Sequence, residues 1–241
     1  MRVTRLYVDR PLTAGTDLEL NESAGRYIAQ VLRLRVGHTL TLFNGDGRDF
    51  HARLDQCGRR GCRVHVGELL STETPSSLRI HLGIGVSRGE RMDFAMQKSV
   101  ELGVTAITPL MTERGVVQLR PDRVAQRLAH WRGVITGACE QCGRSLLPQL
   151  HEPCTTADWV DRHHPGLLLY HQAGKTLPAQ PDPSGTINLL IGPEGGLSEA
   201  ERRLAERKGF VAVRMGPRVM RTETAPIAAL AAIQTLWGDF R

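Results

Sequence analysis

Beyond residue 77 the chain alternates short apolar runs with segments of helical period. Leu78–Val86 and Thr105–Met111 read as strands, and Glu90–Leu102 between them reads as a helix stopped by Gly103. Pro121–Leu147 is long and mostly helical, and a strand near Leu150 and a helix over Thr155–Asp161 follow. Gly166–Tyr170 and Thr186–Ile191 are near-continuous apolar runs, as strands buried on both faces require. Ser198–Lys208, Phe210–Val213 and Thr224–Trp237 complete the alternation, which predicts an α/β domain around a parallel sheet over residues 78–241.

Residues 1–70 carry a different pattern. Arg2–Val8, Thr39–Phe43, Asp49–Leu54 and Cys62–Val66 read as strands separated by turn signals at Asn44–Gly47 and Cys57–Gly61. One helix interrupts them, capped by Asn21, with Tyr27, Ile28, Val31 and Leu32 as its apolar stripe and an end near Gly37. Short strands with one helix predict a small β-barrel. The polar side of that helix presents Arg26, Arg33 and Arg35, either a phosphate-contacting face or a solvated one. The polar, proline-containing stretch 71–77 reads as the linker between the two domains, and Pro178–Ser184 as a surface loop.

Charge and cysteine content narrow the class. The 241 residues carry a formal net charge of +6, and only three of the 31 basic residues are lysine. Arginine makes forked contacts to phosphate, so nucleic acid is a reasonable partner, set against the alternative of an Arg-rich solvated surface. The start of the chain lacks an apolar signal core, and the longest apolar-rich run, Ala225–Trp237, is short and interrupted by Gln234. The expectation is a cytoplasmic protein with no membrane partner. Five cysteines, an odd number, predict reduced thiols rather than a disulfide framework. Cys139 and Cys142 with His151 and Cys154 make a zinc set on paper, but the first pair falls inside a helical pattern, so no metal is expected.

Two strand-to-helix turns hold most of the candidate chemistry. Ile191-Gly-Pro-Glu-Gly-Gly-Leu197 is glycine-rich, and Ser198 with Glu201 after it fits a capping box. No Lys-Ser/Thr follows, so it is not a P-loop, and Glu194 would repel phosphate. A neutral or cationic ligand fits better, such as a sulfonium cofactor with ribose hydroxyls. The second turn, Met215–Pro226, holds Arg218, Arg221 and Glu223, with Thr224 as the expected N-cap of the last helix. These charges form either a self-satisfied ion-pair turn or a site where one arginine meets an anionic group. Ala138–Arg144 and Arg88–Gly103 add Glu140, Arg144, Arg88, Arg91 and Lys98. In the first, Glu140 and Arg144 are i, i+4 and read as a helix-stabilising pair, with Gln141 and Gly143 unusual for a plain solvated face; the second reads either as a capped amphipathic helix or as an RNA-contacting edge.

Taken in order, Gln97–Val104, Glu113-Arg114, Glu140-Gln141 with Gly143-Arg144, Ile191–Gly196 and Gly216–Ala225 resemble the RsmE family of ribosomal RNA methyltransferases, in the SPOUT (α/β-knot) superfamily. The N-terminal unit is similar to that family's PUA-like barrel. Departures are Arg88 where lysine is common, Met215 and Met220 in place of leucines, and Cys142 in place of a small polar residue. The resemblance implies a C-terminal SPOUT domain with a deep trefoil knot, preceded by an RNA-binding PUA-like β-barrel. It implies S-adenosyl-L-methionine as cofactor, and a homodimer methylating N3 of a uridine in 16S rRNA or the 30S particle. Tyr170, His171, Gly192, Pro193, Glu194, Gly195, Gly196, Met215, Gly216, Val219 and Met220 would hold the cofactor. Arg221, Arg218, Glu223 and a partner's Arg144 would serve the chemistry, and Arg26, Arg33, Arg35, Arg88, Arg91, Lys98 and Arg114 would meet RNA. Three other readings stay open: a relative methylating ribose or another base, a non-catalytic RNA-binding protein, and a nucleotide-phosphate enzyme.

Overall fold

Alternating inward side chains build the first sheet. In the computed structural model, which describes residues 4–28, 32, 34–58, 61–183 and 185–240, β1 (Arg5–Tyr7) pairs parallel with β3 (Thr39–Phe43). β3 continues antiparallel into β4 (Arg48–Gly58), β5 (Gly61–Thr72) and β2 (Thr16–Leu20), in the order β1-β3-β4-β5-β2. Cys62, Val64 and Val66 of β5 point inward at every second position and meet Leu40, Leu42, Ala52 and Leu54 in one core. β2 was absent from the expected strands because three of its five residues, Thr16, Asp17 and Glu19, are polar; pairing with β5 holds it. The hairpin also runs longer than expected, so the polar stretch 71–77 opens on the last two residues of β5.

Among the described residues of the stretch to Gly37, where one helix was expected, α1 (Glu22–Arg26) is the α-helical part. Asn21 caps it as read, its side chain accepting from the Ala24 N–H at 2.8 Å. The Tyr27 carbonyl then accepts from Leu32, five residues on, so the bonding leaves the α pattern. Arg26 is its last residue and Arg35 lies exposed outside it, while Val31 and Arg33 lie outside the described residues. Cys57 and Cys62 are directly paired across the β4–β5 hairpin and joined as a disulfide, which corrects the expectation of reduced thiols. An odd cysteine count cannot register that two of the five face each other across a turn. Cys139, Cys142 and Cys154 are free.

Cys139–Leu147 clusters with residues 1–75 rather than with the chain around it. The fastening is polar. Arg5 makes a two-pronged ion pair with Asp49 at 2.7 and 2.9 Å, Ser145 donates to the same carboxylate at 2.6 Å, and Ser71 donates at 3.1 Å. Burial alone would raise the Asp49 pKa, but the hydrogen bonds from Arg5 and Ser145 outweigh it and hold the carboxyl below its usual range. Glu73 accepts from the backbone N–H groups of Ser145 and Leu146, and Glu140 from that of Tyr7.

The second unit, Ser76–Ala138 with Pro148–Arg241, holds the parallel sheet. Its strands are β6 (Arg79–Gly85), β7 (Ala106–Met111), β8 (Gln149–Leu150), β9 (Cys154–Thr155), β10 (Gly166–Leu169), β11 (Lys175–Thr176), β12 (Thr186–Ile191) and β13 (Phe210–Arg214). They lie in the order β11-β13-β10-β12-β6-β7-β8, with β9 also on β7, and every pairing described is parallel. The helices are α2 (Gly89–Glu101), α3 (Pro121–Cys142), α4 (Thr156–Arg162), α5 (Glu199–Arg207) and α6 (Thr224–Trp237). No helix among the described residues is long and apolar enough to cross a membrane. Gln234, the one polar break in the apolar run of α6, is fully buried and donates to the Leu102 carbonyl at the end of α2 at 3.0 Å. The expected N-cap of α6 is corrected: Glu223 stands there without a side-chain cap, and the Arg221 carbonyl receives the Thr224 and Ala225 N–H groups instead.

On one face of this sheet Trp159 of α4 packs so close to Gly83 that a Cβ there would sit 2.8 Å from the indole. His81 and His163 pack against that ring and His151 stacks on His81, with His81 4.9 Å from His151 and 4.4 Å from His163 between centroids. Burial, and then the neighbouring His163 and His151, push the His81 pKa down from 6.5 to about 3. Burial also lowers His151 and His163, with Arg162 adding to both. His81 is therefore neutral in the fold and charges more readily in the unfolded chain. Its contribution to stability is complete above pH 6.5 and is lost as pH falls towards about 3. Melting temperature measured across that window should fall, and His81→Leu should flatten the slope that remains after carboxylate titration. Separately, Asp49→Ala leaves Arg5 buried without its partner and should cost about 3 kcal/mol by urea unfolding.

Candidate active site

β13, β10, β12 and β6 lie side by side and parallel, so their carboxyl ends share one edge of the sheet. The turns leaving β10, β12 and β13 wall a cleft of about 660 Å³. From the first turn come Tyr170, His171 and Gln172. The second contributes Gly192 to Leu197, and the third Met215 and Arg218 to Thr222.

The middle turn is shaped by close backbone approaches. A Cβ on Gly85, at the end of β6, would stand 2.5 Å from Pro193, so the two chain segments touch only because that side chain is absent. A Cβ on Gly195 would stand 2.7 Å from the Arg114 carbonyl, which brings the loop after β7 against the turn. α5 then starts on the predicted capping box: Ser198 accepts from the Glu201 N–H at 3.1 Å, and Glu201 accepts from the Ser198 N–H at 2.8 Å. Glu194 is offset by one cation, Arg91 at 3.6 Å, and accepts from the Arg88 backbone N–H at 3.3 Å.

The third turn is positioned through Thr222, which is buried. Its hydroxyl lies 3.2 Å from that of Ser87 and 3.5 Å from the Gly192 carbonyl, tying this turn to the glycine turn and to the end of β6. Arg218 and Arg221 both line the cleft and are exposed. Among the described residues no ion pair joins either to Glu223, so the turn is not closed on itself by charge. Glu223 does not line the cleft, and its Oε2 is buried without a hydrogen-bond partner.

Of the residues named from sequence as cofactor ligands, all but Gly216 line this cleft; Gly216 holds the turn at φ 70°. Arg91 and Arg114, expected at RNA, line it as well. Lys98 instead pairs with Glu101 at 2.7 Å, and Arg88 is exposed beside the cleft's Glu194. Arg144 lies just past the end of α3, in the N-terminal unit, 3.9 Å from Glu73. Sequence reasoning missed Arg202, whose guanidinium stacks 4.5 Å over the Tyr170 ring and donates to the Leu197 carbonyl at 2.8 Å. The pattern of α5 did not separate Arg202 from Arg203 or Arg207. Five arginines, Arg91, Arg114, Arg202, Arg218 and Arg221, thus surround a cleft whose lining holds a single carboxylate, Glu194. Such a field attracts a polyanion while leaving the backbone of three turns to contact an uncharged or cationic group.

Residues 74–234 match the family model described as an RNA methyltransferase domain, and residues 20–66 match that of an RNA methyltransferase PUA domain. The ribosomal RNA small subunit methyltransferase E of Buchnera aphidicola subsp. Schizaphis graminum is 33% identical over 99% of this chain and 98% of its own. A putative methyltransferase from Legionella pneumophila, solved with the bound cofactor SAM, is 41% identical over the whole of both chains with a TM-score of 0.95. A ribosomal RNA small subunit methyltransferase E from Neisseria gonorrhoeae, bound to S-adenosyl methionine, is 39% identical over the whole of both chains with a TM-score of 0.92.

The close approach at Gly195 is open to a direct check. Gly195→Ala drives a methyl into the Arg114 backbone and should destabilise the fold by about 1–3 kcal/mol in urea titration. Gly174→Ala, with open space around its Cβ position, is the control and should stay close to wild type.

Proposed function

This chain belongs to the ribosomal RNA small subunit methyltransferase E family, and from that membership we propose that it moves a methyl group from S-adenosylmethionine to N3 of a specific uridine in 16S rRNA. The observation that carries the reading is the arginine-ringed cleft where three turns meet at the carboxyl ends of the parallel strands. Its volume, about 660 Å³, suits a ligand of nucleoside size. The Gly192–Gly196 backbone, with no side chain at Gly195 to hold a ligand away, fits a ribose and a sulfonium that need contacts at close range. Tyr170, Val219 and Met220 add apolar surface for an adenine. When bound, S-adenosylmethionine supplies a methyl group activated by a positively charged sulfur.

The chain's own part is alignment and charge placement. Uracil N3 carries a proton at neutral pH, and its removal spreads negative charge over O2 and O4. Arg221 or Arg218, both at the cleft, would meet that charge, with Arg144 of a partner subunit as a further cation in a homodimer. Glu223 follows Arg221 by two residues and would either take the N3 proton or orient the arginine. The reading carries with it a cytoplasmic protein, RNA docking by the N-terminal unit, and 16S rRNA or the 30S particle as substrate. It also carries a deep trefoil knot in which α6 is threaded through a loop.

Labelled-methyl transfer to unmethylated small-subunit RNA and particles should yield 3-methyluridine, and a different methylated nucleoside or none would overturn the assignment. Arg221→Ala should lower the rate at saturating cofactor by about 10²-fold or more while the cofactor Kd, measured by calorimetry, moves little. An unchanged rate removes Arg221 from the chemistry.

A further inference from the structure

Glu201 is 7% exposed and absent from the cleft lining, yet its carboxylate touches three separate elements. Oε2 completes the capping box of α5 through the Ser198 N–H. Oε1 takes two bonds that the box does not need: the Thr156 hydroxyl at 2.7 Å, from the start of α4, and the Glu113 backbone N–H at 3.2 Å, from the loop after β7. The next residue along that loop is Arg114, whose side chain lines the cleft and whose carbonyl lies where a Cβ of Gly195 would be. One buried carboxylate therefore holds both sides of a single contact: the glycine turn through α5, and the arginine loop through residue 113.

We propose that Glu201 is a positioning residue for the cofactor side of the cleft, setting the spacing between the Arg114 loop and the Gly192–Gly196 turn. The proposal rests on S-adenosylmethionine being the ligand of that cleft. A charged acceptor bonded to two N–H groups and a hydroxyl is held more firmly than neutral pairs would hold it, and cutting it away leaves those donors buried without partners. Loss of the Oε1 bonds frees the loop to move relative to the turn. The consequence falls on ligand affinity first, because the groups assigned to the methyl-transfer step lie on the third turn, which is tied to the scaffold separately through Thr222 and Ser87.

Three variants separate this role from helix capping. Glu201→Ala removes every bond, Thr156→Val removes one Oε1 bond at constant shape, and Ser198→Ala removes the hydroxyl half of the capping box while leaving Oε1 engaged. Calorimetric Kd for S-adenosylmethionine should rise about tenfold or more in Glu201→Ala and severalfold in Thr156→Val, the size expected for losing hydrogen bonds to a charged group. Ser198→Ala should lower the melting temperature and leave Kd within about twofold, its bond being a helix cap alone. At saturating cofactor, methyl transfer by Thr156→Val should approach the wild-type kcat, so that the defect appears in KM. Wild-type affinity in a folded Glu201→Ala overturns the proposal; if that variant does not fold, wild-type affinity in Thr156→Val does so. A Ser198→Ala defect as large as that of Thr156→Val overturns it too, since capping then explains the effect. Failure of the wild-type protein to take up S-adenosylmethionine instead overturns the reading on which the proposal rests.

Discussion

Parallel pairing is the constraint from which the site follows. Strands that run the same way end at the same edge, and here β13, β10, β12 and β6 are immediate neighbours. Their interiors are mostly apolar, His81 of β6 apart, so little polar chemistry has a place within these strands. Most of it lies in the turns, and adjacency of the strands brings three of those turns into one cleft. The glycines and prolines of the turns then decide how closely the backbones approach. Gly85 against Pro193 and Gly195 against Arg114 are contacts between main chains, which no larger residue would allow without displacement.

This division explains what could be read from the residues alone. Apolar runs marked the strands well: Thr186–Ile191 and Thr224–Trp237 coincide with β12 and α6 end to end. The capping box at Ser198 and Glu201 was legible because it is local, three residues apart and backed by a fixed geometry. The long-range half of Glu201's work was not legible. Nothing in the spacing from residue 201 to residues 156 and 113 announces a shared carboxylate. The same holds for Arg202 on Tyr170, for the pairing of Cys57 with Cys62, and for β2, whose place depends on a partner more than forty residues away. The resemblance of ordered motifs located the turns, while only the fold could bring those turns to one edge.

Gln234 has one meaning in the sequence and a further one in the fold. As an interruption of an apolar run it argued against a membrane span. In the fold it is fully buried, because it donates to the Leu102 carbonyl just past α2 at a point where Gly103 leaves no side chain in the way. A polar group placed in a core in this way specifies which helix packs where, since any other partner would leave its amide unpaired. The C-terminal helix is thereby matched to α2, and the turn just ahead of it is matched to Ser87 through Thr222.

Buried carboxylate oxygens in this protein fall into two kinds. Asp49 and Glu201 have their oxygens engaged, by Arg5, Ser145 and Ser71 in one case and by three donors from separate elements in the other. Both act as fasteners, and their surroundings are built to stabilise a negative charge. Glu223 is different. Its Oε2 is buried with no donor, and neither neighbouring arginine is paired with it. A buried acceptor left unpaired costs stability, so its place beside the arginine turn is not explained by folding. That orphaned oxygen, two residues from an arginine that lines the cleft, sets Glu223 apart from the two fasteners.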